Sequence, residues 1–103
     1  MSSSHFGKYR GVVTDNRDPL QMGRIRAKVP DVLGNDIACG WAMPCVQCKC
    51  NASRTVGSAL PEINAGVWIE FEHGDLNYPI WAGFLWNSTA ETPPAYRHQL
   101  TLK

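Results

Sequence analysis

Two short segments of this sequence alternate strictly between apolar and polar residues. Residues 23–29 and 66–72 each place every second side chain on an apolar face. In the second segment that face carries Val67, Ile69 and Phe71. A period of two with one apolar side is typical of a half-buried β-strand. The alternation therefore favours a chain built from short strands around one core.

Three further segments complete the predicted set of strands. Residues 9–15 are rich in β-prone side chains, residues 41–46 form a shorter run, and residues 79–86 are apolar on both faces. The last pattern indicates a strand that is central or covered on both sides. The longest irregular stretch, residues 47–65, falls between the third and fourth strands, and any helix in it should be short and near residues 58–60. This arrangement predicts an all-β, five-stranded Greek-key barrel of the OB type, although strand counting also allows an SH3-like barrel or a small sandwich.

The length of 103 residues suits one domain. Nine glycines and seven prolines fit strands joined by many turns better than a helical bundle. We predict a flexible N-terminal arm over residues 1–7 and a barrel over residues 8–86. An extended C-terminal tail is predicted over residues 87–103, because it contains Thr92-Pro93-Pro94 and little apolar material.

Charge and hydropathy exclude some function classes. The formal net charge is +1, so no field of the whole chain attracts nucleic acid or anionic membrane. No stretch reaches the roughly 18 consecutive apolar residues of a membrane span. The first residues lack the features of a secretory signal, so we expect a cytoplasmic protein unless it leaves the cell within a larger assembly.

Several pieces of the sequence resemble a known family when they are taken in order. They are residues 9–16 (YRGVVTDN), 18–19 (DP), 23–26 (GRIR), 29–30 (VP), 40–45 (GWAMPC), 61–62 (PE), 66–72 (GVWIEFE), 74–75 (GD) and 79–83 (PIWAG). Their order and spacing over residues 8–86 resemble the OB domains of phage baseplate spike proteins, the baseplate assembly protein V family. They are also similar to the OB domain of the valine-glycine-repeat spikes of type VI secretion.

The resemblance implies a homotrimeric OB collar that docks onto a tail hub and carries a membrane-piercing β-helical spike. Only 17 residues follow Trp86, and they contain no lysozyme domain and no β-helical repeat. We therefore expect the spike to be a separate chain, with this protein as an adaptor between hub and spike. The expected location is the tail baseplate of a virion assembled in the host cytoplasm, and contact with a membrane is expected only through the spike.

No catalytic residues are expected. The histidines lie in the predicted tails and in a hairpin loop, so no nucleophile–histidine–acid triad can be assembled. Glu70 and Glu72 share a strand face about 6.6 Å apart. Paired catalytic carboxylates also need a cleft and a raised pKa on one member, which an outward strand face does not provide.

The candidate interface residues are aromatic or charged side chains on predicted strand faces. Four tryptophans, three tyrosines and three phenylalanines exceed what one small barrel readily hides, and aromatic side chains are enriched in interface cores. A basic stripe on the second strand could meet acidic side chains on the fourth strand of a neighbouring subunit. The candidates are Trp68, Trp81, Arg24, Arg26, Lys28, Glu70 and Glu72.

A group of four cysteines supports a different hypothesis, a small metal-binding protein. The group consists of Cys39, Cys45, Cys48 and Cys50. Four thiolates could hold zinc, and two of the cysteines have a familiar ligand spacing. The other spacings fit no common zinc knuckle. Free thiols are therefore the main expectation, with no cofactor, and disulfides are disfavoured in a reducing compartment.

A single-stranded nucleic-acid-binding OB module is the remaining alternative, because such barrels often bind single strands near a basic strand. Binding of that kind also needs stacking aromatics on the same face. The strand that carries Arg24, Arg26 and Lys28 contains none. We therefore expect no nucleic-acid partner.

Overall fold

The computed structural model describes residues 4–46 and 60–92. The element bounds are β1 (Tyr9–Asp15), β2 (Arg26–Lys28), α1 (Pro30–Leu33), β3 (Met43–Pro44), β4 (Gly66–Phe71) and β5 (Pro79–Phe84), with short 3₁₀ helices at Glu72–Gly74 and Thr89–Glu91. Within the described residues, no helix is long and apolar enough to span a membrane.

The five strands form one curled, mixed sheet in the order β2-β1-β4-β5-β3. β3 runs parallel to β5, and the other neighbouring pairs are antiparallel. Isolated bridges join Ile25 to Ala42 and Lys28 to Ala38, so the two outer strands of the sheet approach each other. The curled sheet confirms the prediction of an all-β, OB-type fold. β5 lies inside the sheet between β4 and β3, and most of its residues are half-buried.

The inner face of the sheet holds the core, as the alternation in β4 predicts. Val67 and Ile69 are fully buried and Phe71 nearly so, whereas Trp68 between them is only half-buried. Gly11 in β1 faces the same core, and a Cβ there would lie 2.8 Å from Cγ1 of Ile69. The strands therefore approach closely at this point because Gly11 has no side chain. The core residues are Val13, Ile25, Ala27, Val29, Cys39, Ala42, Val67, Ile69 and Phe71.

The strand bounds differ from the predicted ones mainly beside loops. β1 matches its prediction, whereas the segment 23–29 narrows to the three residues of β2. Pro30 ends that strand as expected, but it also begins α1 inside the predicted loop, because its fixed φ suits the first helical position. The N–H of Leu33 donates to the carbonyl of Val29 at 2.8 Å, which closes the single turn.

The predicted short helix and the predicted bounds of the arm, the barrel and the tail stay predictions. The helix expected near residues 58–60 falls mostly outside the described residues. Of the N-terminal arm, residues 4–7 are described, and the N–H of His5 donates to the carbonyl of Gly74 at 3.0 Å. These contacts do not test the three boundaries proposed for the arm, the barrel and the tail.

Candidate functional site

The loop between β1 and β2 is organised by one buried carboxylate, Asp18. Its two oxygens accept hydrogen bonds from the backbone N–H groups of Leu20, Met22 and Arg24, at 2.8–3.2 Å. The Arg24 guanidinium adds two more, from Nε to Oδ2 at 3.0 Å and from Nη2 to Oδ1 at 2.7 Å. The guanidinium, with these backbone donors, holds the pKa of Asp18 well below its usual range. Asp18 is therefore ionised at neutral pH, and its charge is paired within the loop.

Two tryptophans support the far side of the same loop. Nε1 of Trp81 donates to the carbonyl of Gly23 at 2.9 Å, and the guanidinium of Arg24 lies 5.6 Å from the ring centroid of Trp41. Because Trp81 belongs to β5 and Trp41 precedes β3, the loop also contacts the part of the sheet that contains β5 and β3. The loop therefore has contacts with the barrel on both of its flanks.

The anchored loop presents apolar side chains to solvent. Leu20 is 62% exposed and Met22 is 48% exposed, although the backbone of both residues is fixed by Asp18. Gln21 between them has a φ of 54°, a conformation that costs free energy for a residue other than glycine. The turn therefore holds two large apolar side chains outward in a preorganised arrangement.

Further exposed apolar residues lie at the same end of the barrel. Leu60 shares a surface depression with Gly23 and Gln21, and Ile63 lines a neighbouring depression with Asn16. The two chain segments are joined by a hydrogen bond from Nδ2 of Asn16 to the carbonyl of Pro61, at 2.9 Å. Phe84 stands at this end of β5, opposite Val67, with its ring 5.8 Å from that of Trp81. We call this surface the apolar end: it consists of Leu20, Met22, Leu60, Ile63 and Phe84.

The predicted interface tryptophans have different surroundings. Trp68 is on the outer face of β4, where the guanidinium of Arg10 lies 5.3 Å from its ring centroid. Trp81 packs against the core from its inner side and donates to Gly23, so much of its ring contacts the chain itself. Of the two, Trp68 is the one whose remaining exposed surface faces outward from the sheet.

The three residues of the predicted basic stripe have different contacts in the structure. The charge of Arg24 is paired with Asp18, and Nε of Arg26 donates to the carbonyl of Cys39 at 3.1 Å. Lys28 is exposed on the outer face. Only part of the stripe is therefore presented to a partner.

The two acidic interface candidates, Glu70 and Glu72, also have different surroundings. Glu70 in β4 accepts a long contact of 3.4 Å from Nζ of Lys8, with both side chains partly exposed. Glu72 lies beyond the end of β4, exposed beside His73 and Tyr78. Exposed pairs of this kind contribute little to stability, so both carboxylates remain available to a partner.

The structure describes two of the four candidate zinc ligands. Cys39 is buried in the core, where burial raises the pKa of its thiol, and Cys45 is exposed. Cys48 and Cys50 lie outside the described residues. Within residues 4–46 and 60–92 no group of His, Cys, Asp or Glu side chains could hold a metal ion. A four-cysteine site would have to include a thiol that is packed in the core, and the site remains an untested hypothesis.

Sequence reasoning missed the residues that build the apolar end. Asp18 was read as part of a turn that ends the first strand, and Arg24 as a solvated strand residue. The available signal was an acidic residue before proline, followed six positions later by an arginine that flanks a glycine. A carboxylate that can bond backbone groups two and four residues ahead is typical of such turns.

The fold and this surface together define a class: a small OB-type module that presents a preorganised apolar surface at one end of its barrel. The family model for the OB domain of type VI secretion system and phage-baseplate injectors matches residues 9–86. The chain belongs to this family, which confirms the resemblance. The family is one of structural domains in phage baseplates and related injectors, which assemble with other tail components. A comparison with curated proteins found no significant match.

Proposed function

We propose that this protein is a non-enzymatic collar of a tail baseplate. In this proposal three copies assemble around the tail axis and link the tail hub to a separate membrane-piercing spike. The protein is then part of the virion tail, assembled in the host cytoplasm, and it meets a membrane only through the spike.

Membership of the injector OB family is the observation that carries the proposal. The apolar end supports it physically. The backbone of its loop is fixed before any partner arrives, so little backbone conformational entropy is lost when Leu20 and Met22 become buried. Exposed aliphatic and aromatic side chains on a rigid support are characteristic of an assembly surface.

The charged residues give less support to the nucleic-acid alternative. Single-strand binding needs basic side chains whose charge is available to phosphates. Arg24 is paired with Asp18 and Arg26 donates to a backbone carbonyl, so two of the three residues of the stripe already have partners. Among the described residues we find no observation that favours nucleic acid over a protein partner.

Co-expression with the hub and spike proteins of the same particle tests the proposal. The chain carries an affinity tag, and the captured complex is analysed by native mass spectrometry. We expect three copies of the chain together with hub and spike, and we expect hub and spike to separate when the chain is omitted. A monomer that captures neither protein would contradict the collar. Direct binding of hub to spike without the chain would contradict its linking role alone.

A further inference from the structure

A groove beside the parallel strands β3 and β5 has the side chains of a peptide-binding surface. Its volume is about 520 Å³. Trp41 and Met43 flank the core residue Ala42 and therefore point outward from the sheet. Met43 pairs with Ile80, so Tyr78, two positions before Ile80, points to the same face as Trp41. The groove is therefore lined by two aromatic and two aliphatic side chains on one face.

Contacts within the chain form this groove before any ligand binds. The guanidinium of Arg24 lies 5.6 Å from the ring centroid of Trp41, and Arg24 is itself paired with Asp18. On the other side of the groove, the carbonyl of Tyr78 accepts the N–H of Glu72 at 2.9 Å. The side chain of Tyr78 is nevertheless 60% exposed. The groove thus combines a fixed backbone with an aromatic side chain that a ligand can cover.

The charges of the groove favour a cationic ligand. Two charged residues line it, Arg24 and Glu72. Arg24 is neutralised by Asp18 at 2.7 Å. Glu72 is exposed, and it forms no ion pair with the residues that the structure describes. A positively charged side chain would therefore be attracted to the Glu72 carboxylate, whereas a phosphate would be repelled.

The C-terminal part of the sequence contains a segment with matching chemistry. Residues 93–97 (PPAYR) lie outside the described residues. Consecutive prolines favour the polyproline II helix, and segments of this kind dock into grooves lined by aromatic side chains. With three residues per turn, such a helix presents Pro93 and Tyr96 on one edge. Arg97 supplies the positive charge that Glu72 lacks.

The position of Thr92 indicates which groove this segment can occupy. Nδ2 of Asn87 lies close to Gly66 at the start of β4, and Oγ1 of Thr92 donates to the carbonyl of Ser88 at 3.1 Å. The groove lies at the other end of β5, a strand of six residues and about 20 Å. Pro93 follows Thr92 directly, so it stays distant from the groove of its own chain. A groove on a neighbouring copy has no such constraint.

We propose that the groove of one copy binds residues 93–97 of a neighbouring copy. The rings of Pro93 and Tyr96 pack between Trp41 and Tyr78. Arg97 pairs with Glu72. The contact goes beyond the collar proposed above and rests on it only in requiring more than one copy, whatever the number of copies in the assembly.

A peptide-binding measurement tests the groove. The full chain carries Tyr96→Ala/Arg97→Ala, which disables its own segment, and receives a fluorescent peptide of residues 91–98. We expect saturable binding in fluorescence anisotropy. Adding Met43→Ala/Tyr78→Ala should weaken it by about tenfold or more, because an aromatic contact residue is lost. Circular dichroism should give the same spectrum for all variants.

A second pair of exposed residues provides the matched control. Leu20 and Met22 are 62% and 48% exposed, close to the 60% of Tyr78 and the 41% of Met43. We expect Leu20→Ala/Met22→Ala to leave peptide binding unchanged. Loss of binding in this control alone would assign the segment to the apolar end and overturn the proposal.

A charge exchange tests the pairing with Glu72. In the chain with the disabled segment, Glu72→Lys should weaken binding of the peptide. A peptide that carries Arg97→Glu should bind this variant better than the unchanged peptide does. Two peptides that bind Glu72→Lys equally well would overturn the pairing.

Photo-crosslinking in the otherwise unchanged chain identifies the copy that supplies the segment. A photo-crosslinking residue is placed at position 78, or at the exposed position 37 as a control, in light chains that are mixed with heavy-isotope chains. We expect position 78 to give mixed light–heavy products that contain residues 93–97, and position 37 to give none. Products formed only within single chains would overturn the exchange between copies.

The outcomes separate this proposal from the collar. A chain that captures hub and spike, but whose groove binds no peptide and gives no crosslinks to residues 93–97, would overturn the proposal alone. A chain that captures neither protein, but gives the expected peptide binding and crosslinks, would support the proposal and contradict the collar.

Discussion

At the scale of single residues, the side chain of Asp18 fixes the shape of a whole loop. It is almost fully buried, yet it accepts hydrogen bonds from three backbone donors and one guanidinium. An ionised carboxylate is a strong acceptor on both oxygens, so it can take several charge-assisted hydrogen bonds at once. The shape of the β1–β2 loop therefore depends on a single side chain.

Replacing Asp18 with Asn should lower the midpoint of thermal unfolding and speed amide exchange at Leu20, Met22 and Arg24. An amide has one acceptor oxygen and no charge, so it cannot satisfy both the backbone donors and Arg24. Calorimetry and hydrogen exchange measure the two effects. The matched control is Asp36→Asn at an exposed position, where we expect a much smaller change. Equal effects of the two substitutions would contradict the role given to Asp18.

The same substitution should change how stability depends on pH. The pKa of Asp18 is held well below its ordinary value of 3.8 in the folded protein, so ionised Asp18 stabilises the fold above that value. The contribution is lost as the pH falls through the ordinary value towards the folded one. The free energy of unfolding of the wild type should therefore exceed that of Asp18→Asn by a constant amount near neutral pH. The gap should narrow below about pH 4 in urea titrations.

This pairing could not be predicted from local patterns. Alternation assigned Arg24 to the solvated face of a strand, since every second residue of the segment is basic. The loop bends back on Asp18 instead, because six residues are enough to bring the guanidinium to the carboxylate. A pairing across a loop depends on the path of the backbone, and strand periodicity carries no information about it.

At the scale of the elements, the sheet depends on close approach between β1 and β4. Gly11 lies opposite Val67 in the ladder, and a Cβ at Gly11 would lie 2.8 Å from Ile69 Cγ1 and 3.3 Å from the carbonyl of Lys28. Because the carbonyl belongs to β2, a side chain here would push on two neighbouring strands at once.

Gly11→Ala should therefore destabilise the protein by about 1–3 kcal/mol, as overpacking of a core usually does. Gly40→Ala is the matched control, because a Cβ there would meet no atom within 4 Å. We expect the control to stay within roughly 0.5 kcal/mol of the wild type. Equilibrium urea unfolding monitored by tryptophan fluorescence measures both. A harmless Gly11→Ala would show that β1 can shift away from β4 at little cost.

The strands themselves were largely predictable, and their ends were not. β1 and β4 follow their predicted bounds within a residue, because each is paired with a neighbouring strand on both sides. β2 and β3 are much shorter than their patterns, since Arg24 turns away to Asp18 at one end and only two residues of β3 pair with β5. Strand length depends on the partner strand as much as on the strand's own residues.

At the scale of the whole molecule, order and spacing of motifs were more informative than composition. Strand counting left three all-β architectures open, whereas the co-linear motifs over residues 8–86 selected one. The surface proposed for assembly was harder to predict from the sequence. The sequence offered aromatic residues as candidates, but Trp81 contacts its own chain, and the exposed end of the barrel is mostly aliphatic.

The charge distribution of the whole molecule predicts weak affinity for single-stranded nucleic acid. Fluorescence anisotropy of a labelled single-stranded oligonucleotide at physiological salt measures this affinity. We expect no binding at protein concentrations of roughly 10⁻⁶–10⁻⁴ M, where non-specific binders are half-saturated. The physical reason is that Arg24 is neutralised by Asp18 and Arg26 is engaged by a carbonyl. Oligonucleotide binding that weakens steeply as salt is added would contradict this prediction and restore the nucleic-acid alternative.

The anchoring of the β1–β2 loop also bears on how such a protein can change over generations. The backbone N–H groups of Leu20 and Met22, rather than their side chains, bind Asp18, and Trp81 holds the backbone carbonyl of Gly23. The side chains at positions 20 and 22 are thus free to mutate while the loop keeps its shape. Substitutions there could change what this end of the barrel contacts, at little risk to folding. The scaffold and the specificity of this protein can evolve separately.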